Sequence, residues 1–197
     1  MEPSDRARSI NLPSSLAERW LSLRRLAREL ALDLANREGP DITWITEDLA
    51  IGGQILPEEW PTIAAAGIRA VVDCRFEACD PVDVLRDLDI AFLHLPTADA
   101  SAFSLEMVTE GVDWIEHQLA AGRRTLIHCQ AGRGRSVLIG AAVLTRRGLA
   151  PEDAVEIIRA RRPIITPTPG QMRRLREFAA NGWHGSPPHP GPPPERP

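Results

Sequence analysis

The sequence predicts an α/β fold: a five-stranded, mostly parallel central sheet flanked by helices, with an extra N-terminal helix ahead of it. Three observations carry this expectation. From Asp41 onward, short β-rich runs alternate with helical patterns, as expected when helices cover a largely parallel sheet. The length of 197 residues suits one α/β domain of ordinary size, and 43% apolar residues can supply its core. Both ends differ in composition from the middle, which marks them as attachments: an N-terminal extension over 1–40, a domain over 41–181 and a tail over 182–197.

Within the extension, Ser15 to Arg37 reads as an amphipathic helix. Ser15 and Glu18 fit a capping box, and Leu16, Trp20, Leu23, Leu26, Leu30 and Leu34 recur at helical spacing before Gly39 and Pro40 end the run. Packing on the domain is the plainer role for this helix; peripheral membrane contact through residues 15–37 is the other. Strands are predicted at Ile42–Ile45, Leu49–Gly52, Arg69–Cys74, Ile90–Leu95 and Thr125–Cys129. Helices are predicted at Pro57–Ala66, Pro81–Leu88, Ser104–Ala121, Arg135–Arg147, Pro151–Arg161 and Thr168–Ala180. The last residues, dominated by proline with glycine and histidine, lack the apolar surface needed to fold and are expected to be disordered.

A net charge of −4 gives no electrostatic reason to bind nucleic acid. The chain contains no lysine, so all 23 basic residues are arginine, and no apolar run approaches the roughly 20 residues of a membrane-spanning helix. Three cysteines, Cys74, Cys79 and Cys129, without a signal segment or a zinc spacing, fit a reduced compartment, and the cytoplasm is the expected location. Cys74 and Cys79 are also candidates for a reversible disulfide with Cys129 under oxidation.

The chemistry concentrates in His128-Cys129-Gln130-Ala131-Gly132-Arg133-Gly134-Arg135-Ser136, between an apolar strand and a helical run. A tight loop lets successive backbone N–H groups from Gln130 to Arg135 converge on phosphate oxygens. Gly132 and Gly134 permit close approach, and the following helix adds its positive end. The same field favours a thiolate at Cys129, whose ordinary pKa is about 8.5. Arg135, six positions on, can fold its fork back to hold two phosphate oxygens. Ser136 can donate its hydroxyl to the sulfur.

At these residues the sequence resembles the protein tyrosine phosphatase superfamily, of the dual-specificity type, whose signature is His-Cys, five residues, Arg, then Ser or Thr. The resemblance extends over Trp44 to Ala180, from Trp44-Ile-Thr-Glu-Asp-Leu-Ala-Ile-Gly-Gly53 to Arg162-Pro-Ile-Ile-Thr-Pro-Thr-Pro-Gly-Gln171. It implies a five-stranded sheet flanked by helices, in agreement with the pattern above. In that family the histidine supports the cysteine loop, which is the role expected of His128. Adjacent residues of an extended strand point to opposite faces, so direct proton transfer between His128 and Cys129 is disfavoured.

A leaving oxygen needs a proton, and Asp99 is the chosen general acid. It follows the strand Ile90–Leu95 and lies 30 residues before Cys129, a separation similar to that in dual-specificity phosphatases. Asp73 and Asp80 are its rivals, Asp73 being better suited to anchoring loops. Gln171 is read as a water-orienting residue, a helix cap or an exposed side chain.

The expected activity is hydrolysis of phosphomonoesters through a phosphocysteine, with Cys129, Arg135, Asp99 and Ser136 catalytic, Gln130 to Arg135 cradling phosphate, and neither metal nor cofactor required. The absence of tyrosine removes the usual wall of a deep phosphotyrosine slot, which favours a shallow pocket and a dual-specificity protein substrate. Two alternatives stand beside it: a phosphatidylglycerophosphate or phosphoinositide phosphatase, and a non-catalytic phosphate-binding module. Arg133 resembles the basic loop residue of lipid phosphatases, whereas Gln130 stands where those often carry lysine.

Overall fold

The computed structural model describes residues 39–182. The predicted helix over 15–37 and all but the first residue of the predicted tail lie outside them. The sheet contains β1 (Ile42–Trp44), β2 (Leu49–Gly52), β3 (Ile68–Arg75), β4 (Ala91–Thr97) and β5 (Arg124–His128), in the order β1-β2-β5-β3-β4. Only β1 runs antiparallel; β2, β5, β3 and β4 are mutually parallel. Around them lie α1 (Trp60–Ala65), α2 (Val82–Asp87), α3 (Leu105–Ala120), α4 (Arg135–Arg146), α5 (Pro151–Arg161) and α6 (Pro169–Gly182).

Every strand and helix predicted within the described residues is present, with two instructive differences. The helix expected from Pro57 to Ala66 is a 3-10 turn, Pro57–Glu59, followed by α1. Pro61 has no N–H to donate back to Pro57, so the first turn closes instead through Glu59 N–H on the Leu56 carbonyl at 2.9 Å. β4 continues past Leu95 through Pro96 to Thr97. As the edge strand it needs no ladder donor on its open side, so proline is tolerated there.

Both faces of the sheet are covered, which is why β3 reads Ile-Arg-Ala-Val-Val-Asp-Cys-Arg with little alternation. Alternate residues nevertheless separate two cores. Val72, Ile127 and Ile51 pack with α3, α4, α5 and α6. Val71, Leu126 and Ala50 pack with Trp60 and Ile63 of α1 and Leu85 of α2. Buried from Arg135 to Thr145, α4 lies against the sheet, and Gly140 makes its approach possible. A Cβ there would come within 2.6 Å of Ile51 Cδ1, overpacking that costs about 1–3 kcal/mol.

Parallel strands deliver all their C-terminal ends to one edge, where ligands of open α/β sheets bind. Here that edge gathers Gly52, Asp73 to Arg75, Thr97 and His128: Gly52 pairs with His128, and His128 with Asp73.

Candidate active site

Residues 129–134 leave β5 and enter α4 through a loop whose carbonyls from Gln130 to Gly134 are all engaged. The Gln130 carbonyl accepts from Gln54 N–H at 3.0 Å, Arg133 from Thr166 N–H at 2.8 Å, and Gly134 from Leu138 N–H at 2.9 Å. Arg162 donates Nε–H to the Gly132 carbonyl at 2.8 Å and reaches Ala131 at 3.4 Å. With the carbonyls held this way, the N–H groups of Gln130, Ala131, Arg133 and Gly134 find no protein acceptor among the described residues. They are donors for an anion seated over the loop. Gly132 has φ +63°, and a Cβ there would meet the Gly52 carbonyl carbon and oxygen at 2.7 Å. Only glycine fits that position.

Cys129 is 3% exposed, and its Sγ lies 3.5 Å from Ser136 Oγ. Burial pushes the thiol up, but the Ser136 hydroxyl and N–H, the Arg135 charge and the Gly132 N–H together hold it below the ordinary thiol value. Cys74, at the end of β3 in the same core, moves the other way. Burial, then the neighbouring Cys129 and Asp73, raise it well above the usual range. Cys79 is exposed, and the partial desolvation of its thiol, then the Asp73 and Asp80 charges, raise it too.

Arg135 is buried at the base of the loop. Its Nη1 donates to Glu77 Oε2 at 2.8 Å and the Thr97 carbonyl at 2.9 Å. Its Nη2 donates to Glu77 Oε1 at 2.7 Å and lies 3.1 Å from Asp99 Oδ1. Asp99 is thus brought to the guanidinium, with its own side chain 85% exposed. The loop carrying it is fastened to α6. Gln171 Nε2 donates to the Ser101 carbonyl at 2.9 Å, Thr168 Oγ1 to the Ala100 carbonyl at 3.3 Å, and Ala100 itself sits at φ +58°. Gln171 is therefore buried, not exposed. It caps α6 by accepting from Thr168 N–H at 2.9 Å and lies where a Cβ on Gly134 would touch it.

His128 faces away from the sulfur, toward Trp60, and its Nε2 stands 2.7 Å from Asp80 Oδ2. A carboxylate only accepts, so Nε2 carries the proton. Asp80 in turn accepts from Arg75 Nη2 at 2.6 Å, and Arg75 also binds Asp73 at 2.9 Å. Asp73, Asp80 and His128 bring ligand-type atoms within 4.8 Å of one another. Because Arg75 joins both carboxylates, the group is a charge-compensated support behind the loop. Asp80 is thereby committed to His128 and Asp73 to Arg75, which leaves Asp99 as the aspartate at the open side.

Among the expected cradle residues, Gln130 donates Nε2–H to Gln54 Oε1 at 2.8 Å, while the Arg133 side chain is exposed. Sequence reasoning did not find Glu77, Arg162 or Asp41. Arg162, buried, grips Asp41 through both Nη atoms at 2.8 and 2.6 Å.

The sequence profile of the dual specificity phosphatase catalytic domain matches residues 57–181. The phosphatidylglycerophosphate phosphatase PTPMT1 of Arabidopsis thaliana is 27% identical over 138 residues, 68% of this chain and 41% of that protein. Dual specificity protein phosphatase 15 of Homo sapiens is 37% identical over 100 residues, 50% of this chain and 33% of that protein. The chain thus spans well under half the length of these relatives. Among solved structures, Tk-PTP in its active form superposes with a TM-score of 0.68 at 31% identity, covering 72% of this chain and 98% of that one. PTPMT1 in complex with PI(5)P gives a TM-score of 0.66 at 26% identity, covering 69% and 92%. With the profile spanning more than half of the sequence and the fold shared, the chain belongs to the dual specificity phosphatase catalytic-domain family.

Proposed function

We propose that the protein is a cysteine-dependent phosphatase acting on phosphomonoesters, with phosphorylated proteins as its principal substrates. The observation that carries this is Cys129, its thiol pKa depressed, lying at the start of a loop with free N–H donors and backed by the Arg135 guanidinium. The phosphoryl group sits on those donors, and the Cys129 thiolate attacks phosphorus in line. The P–O bond to the leaving group breaks as Asp99 gives that oxygen a proton. Water then attacks the phosphocysteine, its proton returns to the Asp99 carboxylate, and the S–P bond breaks. Ser136 donates to the sulfur as thiolate reforms. His128, held by Asp80, supports the loop and exchanges no proton with substrate.

A lipid phosphomonoester is the second reading, favoured by the 27% identity over 138 residues to a phosphatidylglycerophosphate phosphatase. No helix among the described residues is long and apolar enough to cross a membrane. The cytoplasm is the proposed site of action. Phosphate release from phosphotyrosine and phosphothreonine peptides, phosphoinositides and phosphatidylglycerophosphate, measured side by side, decides between the substrate classes. Faster turnover of peptides supports the first reading, and faster turnover of lipids replaces it with the second. Release that persists in Cys129→Ser overturns both.

A further inference from the structure

Asp73 and Arg75, two apart at the end of β3, meet on one face of the sheet, whereas Cys74 between them joins the opposite core with Cys129. Asp73 pairs in register with His128, and His128 reaches Asp80. Arg75, 3% exposed, joins the two buried carboxylates. Its Nε–H and an Nη2–H go to Asp73 at 2.9 Å each, and the other Nη2–H goes to Asp80 at 2.6 Å. Asp73 Oδ1 also accepts the Arg75 backbone N–H at 2.9 Å, and His94 on β4 donates Nε2–H to the Arg75 carbonyl at 2.7 Å. Two buried acids so close to the strand that ends at Cys129 oppose the charge its sulfur must carry, unless a cation offsets them. The other thiols register each charge. After burial, and for Cys74 the Cys129 sulfur, Asp73 pushes both Cys74 and Cys79 up, while Arg75 pulls both down.

We propose that Arg75 is a positioning residue for the Cys129 thiolate: on the far face of the sheet it neutralises Asp73 and Asp80, so that Asp80 stays fixed on His128 and the thiolate forms without facing two uncompensated carboxylates. Its kinetic consequence rests on the phosphatase reading given above. The other charges around the sulfur are already accounted for. Arg135 on α4 favours the thiolate, and Glu77 and Asp99 are engaged with Arg135. Asp41 is paired with Arg162, and α3 faces this core with Val108, Val112 and Ile115. Cys74 on β3, its thiol raised, stays neutral. That leaves Asp73 and Asp80, whose oxygens come within 4.8 Å of each other and of His128, with Arg75 as their counter-charge. A charge in the interior is screened little by solvent or salt, so Arg75 acts on the sulfur across the sheet without touching it.

The test reads the pH dependence of Cys129 alkylation by iodoacetate, which needs no turnover, beside that of kcat/KM for p-nitrophenyl phosphate, both on the full chain. Arg75→Met is expected to move the rising limbs up by about one pH unit, because the thiolate then faces both carboxylates. Asp73→Asn, whose amide oxygen still accepts from Arg75, removes a negative charge and is expected to move them down by a similar amount. Arg75→Met combined with Asp73→Asn is expected to lie close to wild type, since the two charges cancel. Loss of packing alone would lower the rates at every pH, leave the limbs in place and gain nothing from the second substitution. If Arg75→Met does not fold, the downward shift in Asp73→Asn decides. Limbs that stay in place in folded Arg75→Met or in Asp73→Asn, or that move in the opposite sense, overturn the proposal. If the alkylation limbs shift as expected while wild type turns over no phosphomonoester, the phosphatase reading falls and the role of Arg75 stands.

Discussion

Arg162 donates its Nε–H to the carbonyl of Gly132 at 2.8 Å while its Nη atoms clasp Asp41. A residue 30 positions beyond Gly132 therefore holds the loop that follows Cys129 in place through a backbone carbonyl. Arg162→Ala leaves the Gly132 carbonyl unpaired and Asp41 without its partner. Asp41 is partly exposed, so the expected loss is about 2–4 kcal/mol, below that of a fully buried pair. Urea unfolding measures it, and a midpoint unchanged from wild type would remove the loop-holding role.

Gly132→Ala tests the loop's conformation. At φ +63°, with the Gly52 carbonyl where the new methyl would go, alanine forces the loop open. Tungstate affinity should fall by at least about tenfold while the rest of the fold keeps its cooperative unfolding. Unaltered tungstate binding would mean that the loop does not need this conformation to hold an anion.

The pH dependence follows from the depressed Cys129 thiol. Below its pKa the sulfur is protonated and unreactive, so kcat/KM rises with pH through that value. Removing the Ser136 hydroxyl takes away a donor to the thiolate, raises the pKa and moves the rising limb to higher pH. Ser136→Ala is expected to show that displacement in kcat/KM and in the rate of iodoacetate alkylation. A limb that stays in place would show that Ser136 does not stabilise the thiolate.

The same directions predict which cysteine reacts first. Cys79 is the exposed thiol, yet it and Cys74 are both raised while Cys129 is lowered. At mildly acidic pH, limiting iodoacetate should therefore label Cys129 ahead of Cys79, as read by peptide mass mapping. Labelling governed by exposure alone would give Cys79 first.

For the acid, Asp99→Asn should slow esters of poor leaving groups strongly and those of good leaving groups little. Rates measured across a series of aryl phosphates check this. A loss equal for all leaving groups would leave Asp99 as a partner of Arg135 and nothing more.

The sheet, its helices and the loop from His128 to Ser136 were legible because each is written in neighbouring residues: a period, a cap, a signature. β2 at Leu49–Gly52 and α5 at Pro151–Arg161 match their expected limits, where a sharp turn and a proline punctuate the chain. What escaped is long-range pairing. Glu77 lies 58 residues from Arg135, and Asp41 lies 121 from Arg162, so no local spacing joins them. With all 23 basic residues arginine, neither partner stood out by type. The available signal for Glu77 was its place just beyond β3, on the edge where parallel strands end. Gln171 shows the converse: its capping role was legible from Thr168, but its burial depends on the distant Ser101 and Gly134.

Covalent catalysis requires that Cys129 carry the phosphoryl group during turnover. Rapid acid quench of the enzyme turning over p-nitrophenyl phosphate, followed by mass analysis of the Cys129 peptide, tests it most directly. One added phosphoryl group is expected on Cys129, accumulating further in Asp99→Asn during turnover of a good leaving group and absent from Cys129→Ser. Phosphate release without any phosphoryl group on Cys129, or undiminished release by Cys129→Ser, would contradict it.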